Sequence, residues 1–173
     1  PTGVGKTATT KVLAEYFFSK SQKKDPLIRL DMSEFQYPHQ IERLIGSGKN
    51  EPSKFIQSIR EKPFSVILFD EIEKANPVIF DILLNITDFR NTIIIMTTNV
   101  GSEKSNSIGF NQNEENKTDK SYNKIKAFFR PEFFNRIDHI VTFNSLNKES
   151  IKKIVIKELA DILQRDGLKN RNI

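Results

Sequence analysis

The first seven residues, Pro1 to Thr7, carry most of a glycine-rich phosphate-binding loop, and a helix-like run follows them. The usual pattern is G-x-x-x-x-G-K-[ST], and every position after its first glycine is present. Gly3 and Gly5 allow a tight backbone turn that aims several N–H groups at phosphate oxygens. A helix that begins near Gly5 adds the positive end of its dipole. The stretch predicts a nucleotide site; the alternative is a chance Gly-Lys-Thr at a helix start.

Two side chains at the end of the loop suit a triphosphate and its metal ion. Lys6 can reach the β- and γ-phosphates as a point charge, and the Thr7 hydroxyl can ligate Mg²⁺. We therefore expect ATP and Mg²⁺ as ligands. The residues expected to bind the nucleotide are Thr2, Gly3, Val4, Gly5, Lys6, Thr7 and Ala8.

A continuous apolar run, residues 64–69, ends directly in Asp70 and Glu71. Such a run is typical of a parallel strand that is covered on both faces, and open α/β sheets bind ligands at the carboxyl ends of their strands. Asp70 is placed to hold Mg²⁺ through its water shell, and Glu71 to polarise the water that attacks the γ-phosphate. The alternative is that the pair only caps the next helix.

Asn99 follows a second apolar run, residues 92–96, and should emerge at the same edge of the sheet as Asp70. Its amide could orient the attacking water or contact the γ-phosphate, although an Asn after a strand is often a turn residue. Residues 116–119 spell the guanine-reading N-K-x-D pattern. We reject a guanine site because this segment lies in polar sequence and does not follow a buried strand.

The rest of the chain alternates amphipathic helices with short apolar strands, which predicts a three-layer α/β domain with a mostly parallel sheet. We place this nucleotide-binding subdomain at residues 1–143 and the start of a helical lid at 144–173. The first predicted helix spans residues 5–19 and should bury Val12, Leu13, Tyr16 and Phe17. Further helices are predicted around Ile41 to Ile45, around Phe55 to Ile59, from Pro77 onwards, at 122–129, and at 147–167, where the helix has one apolar face. The remaining predicted strands are 27–31 and 139–143.

Composition narrows the function classes. The 173 residues contain no cysteine, which excludes disulfides and thiolate metal sites and fits a reducing compartment. The net charge of +5 is spread over lysine-rich helix faces, so we favour solvated surface over nucleic-acid binding. No membrane span or signal peptide is evident, and the sequence lacks both an initiator Met and the first loop glycine, so we interpret it as a fragment.

Residues 101–121 are rich in Ser, Asn, Lys and Glu and predict a solvated loop. The apolar tripeptide Ile108-Gly109-Phe110 interrupts it and is either a docking peptide or a locally packed turn. Arg136 lies in a loop-like segment further on. A guanidinium there is a candidate to stabilise charge on a transferring phosphoryl group, although arginines are common surface residues and the alternative is an ordinary surface arginine.

Two blocks are highly specific to one family: SVILFDEIEKA at 65–75 and RPEFFNRID at 130–138. Shorter matching blocks are PTGVGKT at 1–7, DMSEF at 31–35, RLIG at 43–46 and DFRNT at 88–92. Together they cover most of the chain, which resembles the AAA+ Clp unfoldases, and specifically the second ATPase module of ClpC-like proteins.

The resemblance implies roles for named residues. It implies Asp70 and Glu71 as the Mg²⁺-binding and water-activating carboxylates, Asn99 as a polar sensor, and Arg136 as an arginine finger given to the neighbouring subunit. Ile108-Gly109-Phe110 is similar to the tripeptide with which Clp unfoldases dock on ClpP-type peptidase rings. The implied protein is a soluble, ring-forming ATPase, a hexamer at full length, that unfolds proteins in a bacterial cytoplasm or a plastid-type stroma.

The sequence also departs from the family pattern. After residue 46 the family carries a pore loop with an aromatic residue that grips substrate, whereas residues 47–53 are shorter and contain no aromatic. A Gly/Asp-rich stretch is missing before residue 88, and the lid sensor arginine is absent. We interpret the first two gaps as omitted flexible loops. The alternative functions are a disaggregase without a peptidase, a nucleic-acid motor of the same superfamily, and an inactive oligomerising module.

Overall fold

The computed structural model describes residues 3–18, 25–46, 52–85, 89–101 and 114–163, without the side chains of 114–119 and 161. Its helices and strands largely follow the predicted order, and two short 3-10 helices lie at Met32–Glu34 and Ile72–Lys74. The main elements are α1 (Lys6–Phe18), β1 (Leu27–Asp31), α2 (Pro38–Ile45), α3 (Lys54–Glu61), β2 (Val66–Asp70), α4 (Val78–Asn85), β3 (Ile93–Met96), α5 (Glu114–Phe128), α6 (Pro131–Phe134) and α7 (Lys148–Leu163).

The three strands form a parallel sheet in the order β1-β2-β3. In this register Asp31 lies beside Asp70, and Phe69 lies beside Met96. Every residue of the central strand β2 is buried. The predicted α/β class with a parallel sheet is therefore confirmed, and the acidic pair lies at the carboxyl end of the middle strand.

The two faces of the sheet differ in what covers them. Ile67 and Phe69 belong to a buried cluster that also holds residues of α2, α3 and α4. Successive strand residues point to opposite faces, so Leu68 and Asp70 point the other way, where α1 packs on β1 and β2. This alternation places the Asp70 carboxylate on the same side of the sheet as the phosphate loop and α1.

Aromatic side chains join α4 to the segment that carries Arg136. The Phe80 ring lies 5.4 Å from that of Phe129 and 5.0 Å from that of Phe133, measured between centroids. Next to these rings, Arg130, which directly precedes α6, forms an ion pair of 3.1 Å with Asp81 of α4. The aromatic contacts hold the start of α6 against α4, and the exposed ion pair adds little.

Several sequence predictions were wrong in detail. The apolar side chains of α1 are exposed, with Val12 64% and Tyr16 80% accessible, because the helix buries Thr10 and Ala14 instead. β3 is an edge strand of the described sheet, so Ile93 and Ile94 are partly exposed.

The carboxyl-terminal half also differs from expectation. Residues 139–143 form no strand, since no described strand lies alongside to pair with them. The predicted polar loop ends earlier than expected, because α5 already begins at Glu114. On α7 the apolar positions Ile151, Ile154, Val155 and Leu159 are half-exposed, so the described residues cover its apolar face only in part.

Candidate nucleotide site

The phosphate loop has the backbone that its glycines permit. Gly3 and Gly5 have φ of 69° and 94°, in the left-handed region that other residues adopt at a cost. Helix α1 begins at Lys6, so its first N–H groups lie at the loop. Val4 is half-buried and Ala8 is exposed in the first turn, while Thr2 lies outside the described residues. The backbone can therefore turn around an anion as predicted.

Thr7 and Asp70 come together although 63 residues separate them in the chain. The Thr7 hydroxyl donates to Oδ2 of Asp70 at 3.1 Å. A hydroxyl and a carboxylate are hard oxygen donors, and Mg²⁺ takes one or two protein ligands of this kind beside water and phosphate. No group of three or more His, Cys, Asp or Glu side chains at metal-binding distance occurs in the described part of the chain. A donor set of one hydroxyl and one carboxylate fits Mg²⁺ held jointly with a triphosphate.

Lys6 reaches across the sheet edge to the segment after β3. Its ammonium donates to the backbone oxygen of Thr98 at 2.8 Å and to Oδ1 of Asn99 at 2.6 Å. The predicted phosphate-binding lysine and the predicted sensor asparagine therefore lie within one hydrogen bond of each other. A γ-phosphate that reaches Lys6 would also lie close to Asn99.

Glu71 has an unusual backbone and a charged partner. Among the described residues it is the one non-glycine with positive φ (φ 56°, ψ 51°), a conformation that costs roughly 1–2 kcal/mol. Its carboxylate pairs with the Lys74 ammonium at 2.5 Å, and this contact raises the pKa of Lys74. A water that approaches the Glu71 carboxylate would have to displace Lys74 or share the carboxylate with it.

Two residues that hydrogen-bond to the predicted site residues were not identified from the sequence. Thr97 bonds through its hydroxyl to Asp70 and Glu71. Glu73 accepts the backbone N–H of Asn99 at 3.0 Å. The sequence signal that could have identified Thr97 and Glu73 was their position, since both lie in the short segments that follow two adjacent strands.

Strand β1 adds a cation to the site. Arg29 lies on the same face as Asp70 and donates to its Oδ2 at 2.7 Å, with about half of the arginine side chain exposed. Two strand positions further on, Asp31 accepts hydrogen bonds from the hydroxyl and backbone N–H of Ser33, which lower the pKa of Asp31. The Asp31 charge therefore stabilises this turn above its ordinary pKa, and the contribution is lost as the pH falls through the lowered value.

Replacing Arg29 by alanine should lower the Mg²⁺ concentration needed for nucleotide binding, because Arg29 occupies the Asp70 oxygen that faces Thr7. The change should reach at most about fivefold, since half-exposed ion pairs are worth about 0.2–1 kcal/mol. The measurement is a Mg²⁺ titration of fluorescent ATP-analogue binding to the full-length protein, with Arg90→Ala as the matched surface control. A higher Mg²⁺ requirement would show that Arg29 supports the ion.

A cleft of about 420 Å³ lies between the phosphate loop and α7. Gly3 and Val4 line one side, and Leu146, Ile151 and Ile154 line the other. This apolar lining next to the phosphate loop suits a flat nucleotide base. The half-exposed apolar side chains of α7 therefore face, in part, this cleft.

Arg136 lies apart from these contacts. Its exposed guanidinium donates to the backbone oxygen of Leu84, near the end of α4, at 3.1 Å. The tripeptide Ile108-Gly109-Phe110 lies outside the described residues, as do residues 47–51 of the first sequence gap and residues 86–88 at the second. No described helix is long and apolar enough to cross a membrane.

A parallel sheet with a glycine-rich loop and an acidic strand end is the architecture of phosphate-loop nucleotide-binding domains. Within that class the chain belongs to the family described as AAA domain (Cdc48 subfamily), whose model matches residues 1–140. AAA domains of this kind are the ATPase modules of Clp chaperones.

Named relatives agree with this family. The chain is 41% identical over 203 residues to the chloroplastic chaperone ClpC of Pisum sativum, covering all of this chain and 21% of that protein. It is 42% identical over 173 residues to the chaperone ClpB of Brucella suis, covering 90% of this chain and 20% of that one.

A solved structure, the closed state of Hsp104 with ATPγS and FITC casein, superimposes with a TM-score of 0.77 at 35% identity. The match covers 94% of this chain and 31% of that one. Of the two curated relatives, ClpC and ClpB, the chain spans about a fifth of the length. The ClpC alignment runs over 203 positions although this chain has 173 residues, so about 30 positions of that relative have no counterpart here.

Proposed function

We propose that this domain binds and hydrolyses Mg²⁺-ATP and uses the energy to unfold protein substrates for a ClpP-type peptidase. The observation that carries the proposal is the convergence of Lys6, Thr7, Asp70 and Asn99 at one sheet edge, in a chain of the AAA family. The named relatives are Clp chaperones, and the Hsp104 structure was determined with ATPγS and casein, which supports a nucleotide and a protein substrate here.

Each residue has a role in this proposal. The loop from Gly3 to Thr7 and the start of α1 bind the phosphates, and Lys6 neutralises the charge of the γ-phosphate. Thr7 and Asp70 would hold Mg²⁺, which neutralises charge on the phosphates. Glu71 takes a proton from the attacking water, and Asn99 orients that water or the γ-phosphate. The boundary at residue 143 separates this machinery from the lid, whose helix α7 closes over the base.

The proposed active form is a homo-oligomeric ring, a hexamer at full length, in which Arg136 serves the nucleotide of the neighbouring subunit. Its exposed side chain and the anchoring of α6 on α4 support this role. An isolated domain should then hydrolyse ATP slowly, because the arginine is supplied by a neighbour.

Delivery to a peptidase depends on Ile108-Gly109-Phe110. The experiment uses the full-length protein, a ClpP-type peptidase and a stably folded fluorescent substrate. Phe110→Ala should abolish ATP-dependent degradation while unfolding continues, and Asn111→Ala, at the next position in the sequence, is the control. Degradation that survives Phe110→Ala would refute the docking role, and a wild type that never unfolds the substrate with ATP would refute the whole proposal.

A second candidate is a disaggregase that acts without a peptidase. The ClpB relative and the Hsp104 structural match favour it. It predicts that the full-length protein recovers aggregated substrate in the presence of ATP and that the peptidase adds nothing to substrate loss.

A further inference from the structure

Thr97 is the residue that joins the end of β3 to the acidic turn after β2. It is 6% exposed, and its hydroxyl donates to Oδ1 of Asp70 at 2.5 Å and accepts the N–H of Glu71 at 3.1 Å. Its backbone N–H donates to the oxygen of Phe69, and its backbone oxygen accepts the N–H of Ile72, both at 3.0 Å. One threonine therefore bonds to four consecutive residues of the neighbouring segment.

The direction of the two hydroxyl bonds follows from the chemistry of the groups. A backbone N–H can only donate, so Glu71 uses a lone pair of the hydroxyl, and the single hydroxyl proton goes to Asp70. This bond engages Oδ1 of Asp70. The other oxygen, Oδ2, is then left facing Thr7 and Arg29, on the side where the metal ion would lie.

The same hydroxyl restrains Glu71. The backbone of Glu71 has φ of 56°, and left-handed backbone in a residue with a side chain persists only where its surroundings hold it. The hydrogen bond from its N–H to Thr97 is one such restraint. Because the direction of a side chain follows from its backbone, Thr97 also influences where the Glu71 carboxylate can reach.

We infer that Thr97 is a positioning residue, whose hydroxyl orients Asp70 towards the metal ion and Glu71 towards the attacking water. The inference rests on the proposed ATP hydrolysis. Hydrogen bonds to a metal-binding carboxylate orient it, and removing such a partner typically costs about 10–100-fold in metal affinity or activity. Thr97 touches neither the nucleotide nor the ion in this role, so it acts only through the two carboxylates.

Thr97→Val in the full-length protein tests this inference, because valine keeps the shape and loses the hydroxyl. The kcat for ATP should fall about 10–100-fold with KM little changed. In a binding assay without turnover, the Mg²⁺ concentration that half-saturates binding of a fluorescent ATP analogue should rise by a similar factor. Thr97→Ser keeps the hydroxyl and should restore both values towards those of the wild type.

Thr92→Val is the matched control, since Thr92 precedes the other end of β3 and its hydroxyl bonds only to the nearby Phe89 oxygen in the described contacts. Thermal melting of all variants separates lost folding from lost positioning. A Thr97→Val protein with wild-type kcat and Mg²⁺ dependence would overturn the inference, as would equal losses in the Val and Ser variants. A wild type without turnover would refute the proposed function, and the Mg²⁺ titration would still test Thr97.

Discussion

Replacing Glu71 by glutamine should stop ATP turnover and leave ATP binding intact. Glutamine has the same size but cannot take a proton from the attacking water, and general-base catalysis contributes about 10²–10⁴-fold to rate. Binding should survive because Lys6, Thr7 and Asp70 remain, and these groups make the described contacts at the phosphate loop. The measurements are steady-state phosphate release and fluorescent-nucleotide binding by the full-length protein.

Glu42→Gln, an exposed glutamate on α2, is the control for removing one negative charge. It should hydrolyse ATP as the wild type does. The structure adds a second expectation, which is that the Glu71→Gln protein loses the ion pair with Lys74. The neutral amide that replaces the Glu71 carboxylate cannot form it. If phosphate release continues in the Glu71→Gln protein, then another group takes the proton and the role given to Glu71 is wrong.

Removing the guanidinium of Arg136 should reduce turnover by about 10³–10⁵-fold, the usual worth of an arginine finger. Its described contact is with the backbone oxygen of Leu84, which a neighbouring nucleotide would have to replace. Arg136→Ala should leave nucleotide affinity nearly unchanged, because the residue acts on charge that develops during transfer. Phosphate release and binding in assembled rings measure the two effects.

Mixing subunits tests whether Arg136 acts on the neighbour. Rings made from Arg136→Ala and Glu71→Gln subunits should recover part of the activity that both parents lack, since some interfaces then combine an intact Glu71 with an intact Arg136. Arg130→Ala is the matched control: the Arg130–Asp81 pair is exposed and worth little, so its loss should be mild. Mixed rings that stay inactive would argue against action between subunits.

The sequence predicted the strands and the site residues where a short pattern carried the information. The loop ending in Lys6 and Thr7, the apolar run before Asp70 and the strand before Asn99 each lie within a few residues. Parallel strands bring their carboxyl ends to one edge, so the meeting of these segments could be predicted without coordinates. The roles assigned to the individual residues remain predictions.

The predictions failed where an element depends on its neighbours. The apolar side chains of Val12, Leu13, Tyr16 and Phe17 have helical spacing, but spacing does not say whether another segment covers them, and the described structure leaves them exposed. Residues 139–143 have strand-like composition, yet a strand requires a partner to hydrogen-bond with.

By itself the sequence determined the class of this protein, because a phosphate loop and an acidic strand end are local patterns whose chemistry is set by residue type and spacing. Only the tertiary structure decided what holds these groups in place: Thr97 on Asp70 and Glu71, Arg29 on Asp70, and Lys74 on Glu71. Arg29 contacts Asp70 from the neighbouring strand β1, and Thr97 contacts Asp70 and Glu71 from the segment after β3, so these contacts depend on strand order and register. The Lys74 contact lies beside the left-handed turn at Glu71, and no pattern in the sequence predicts that turn.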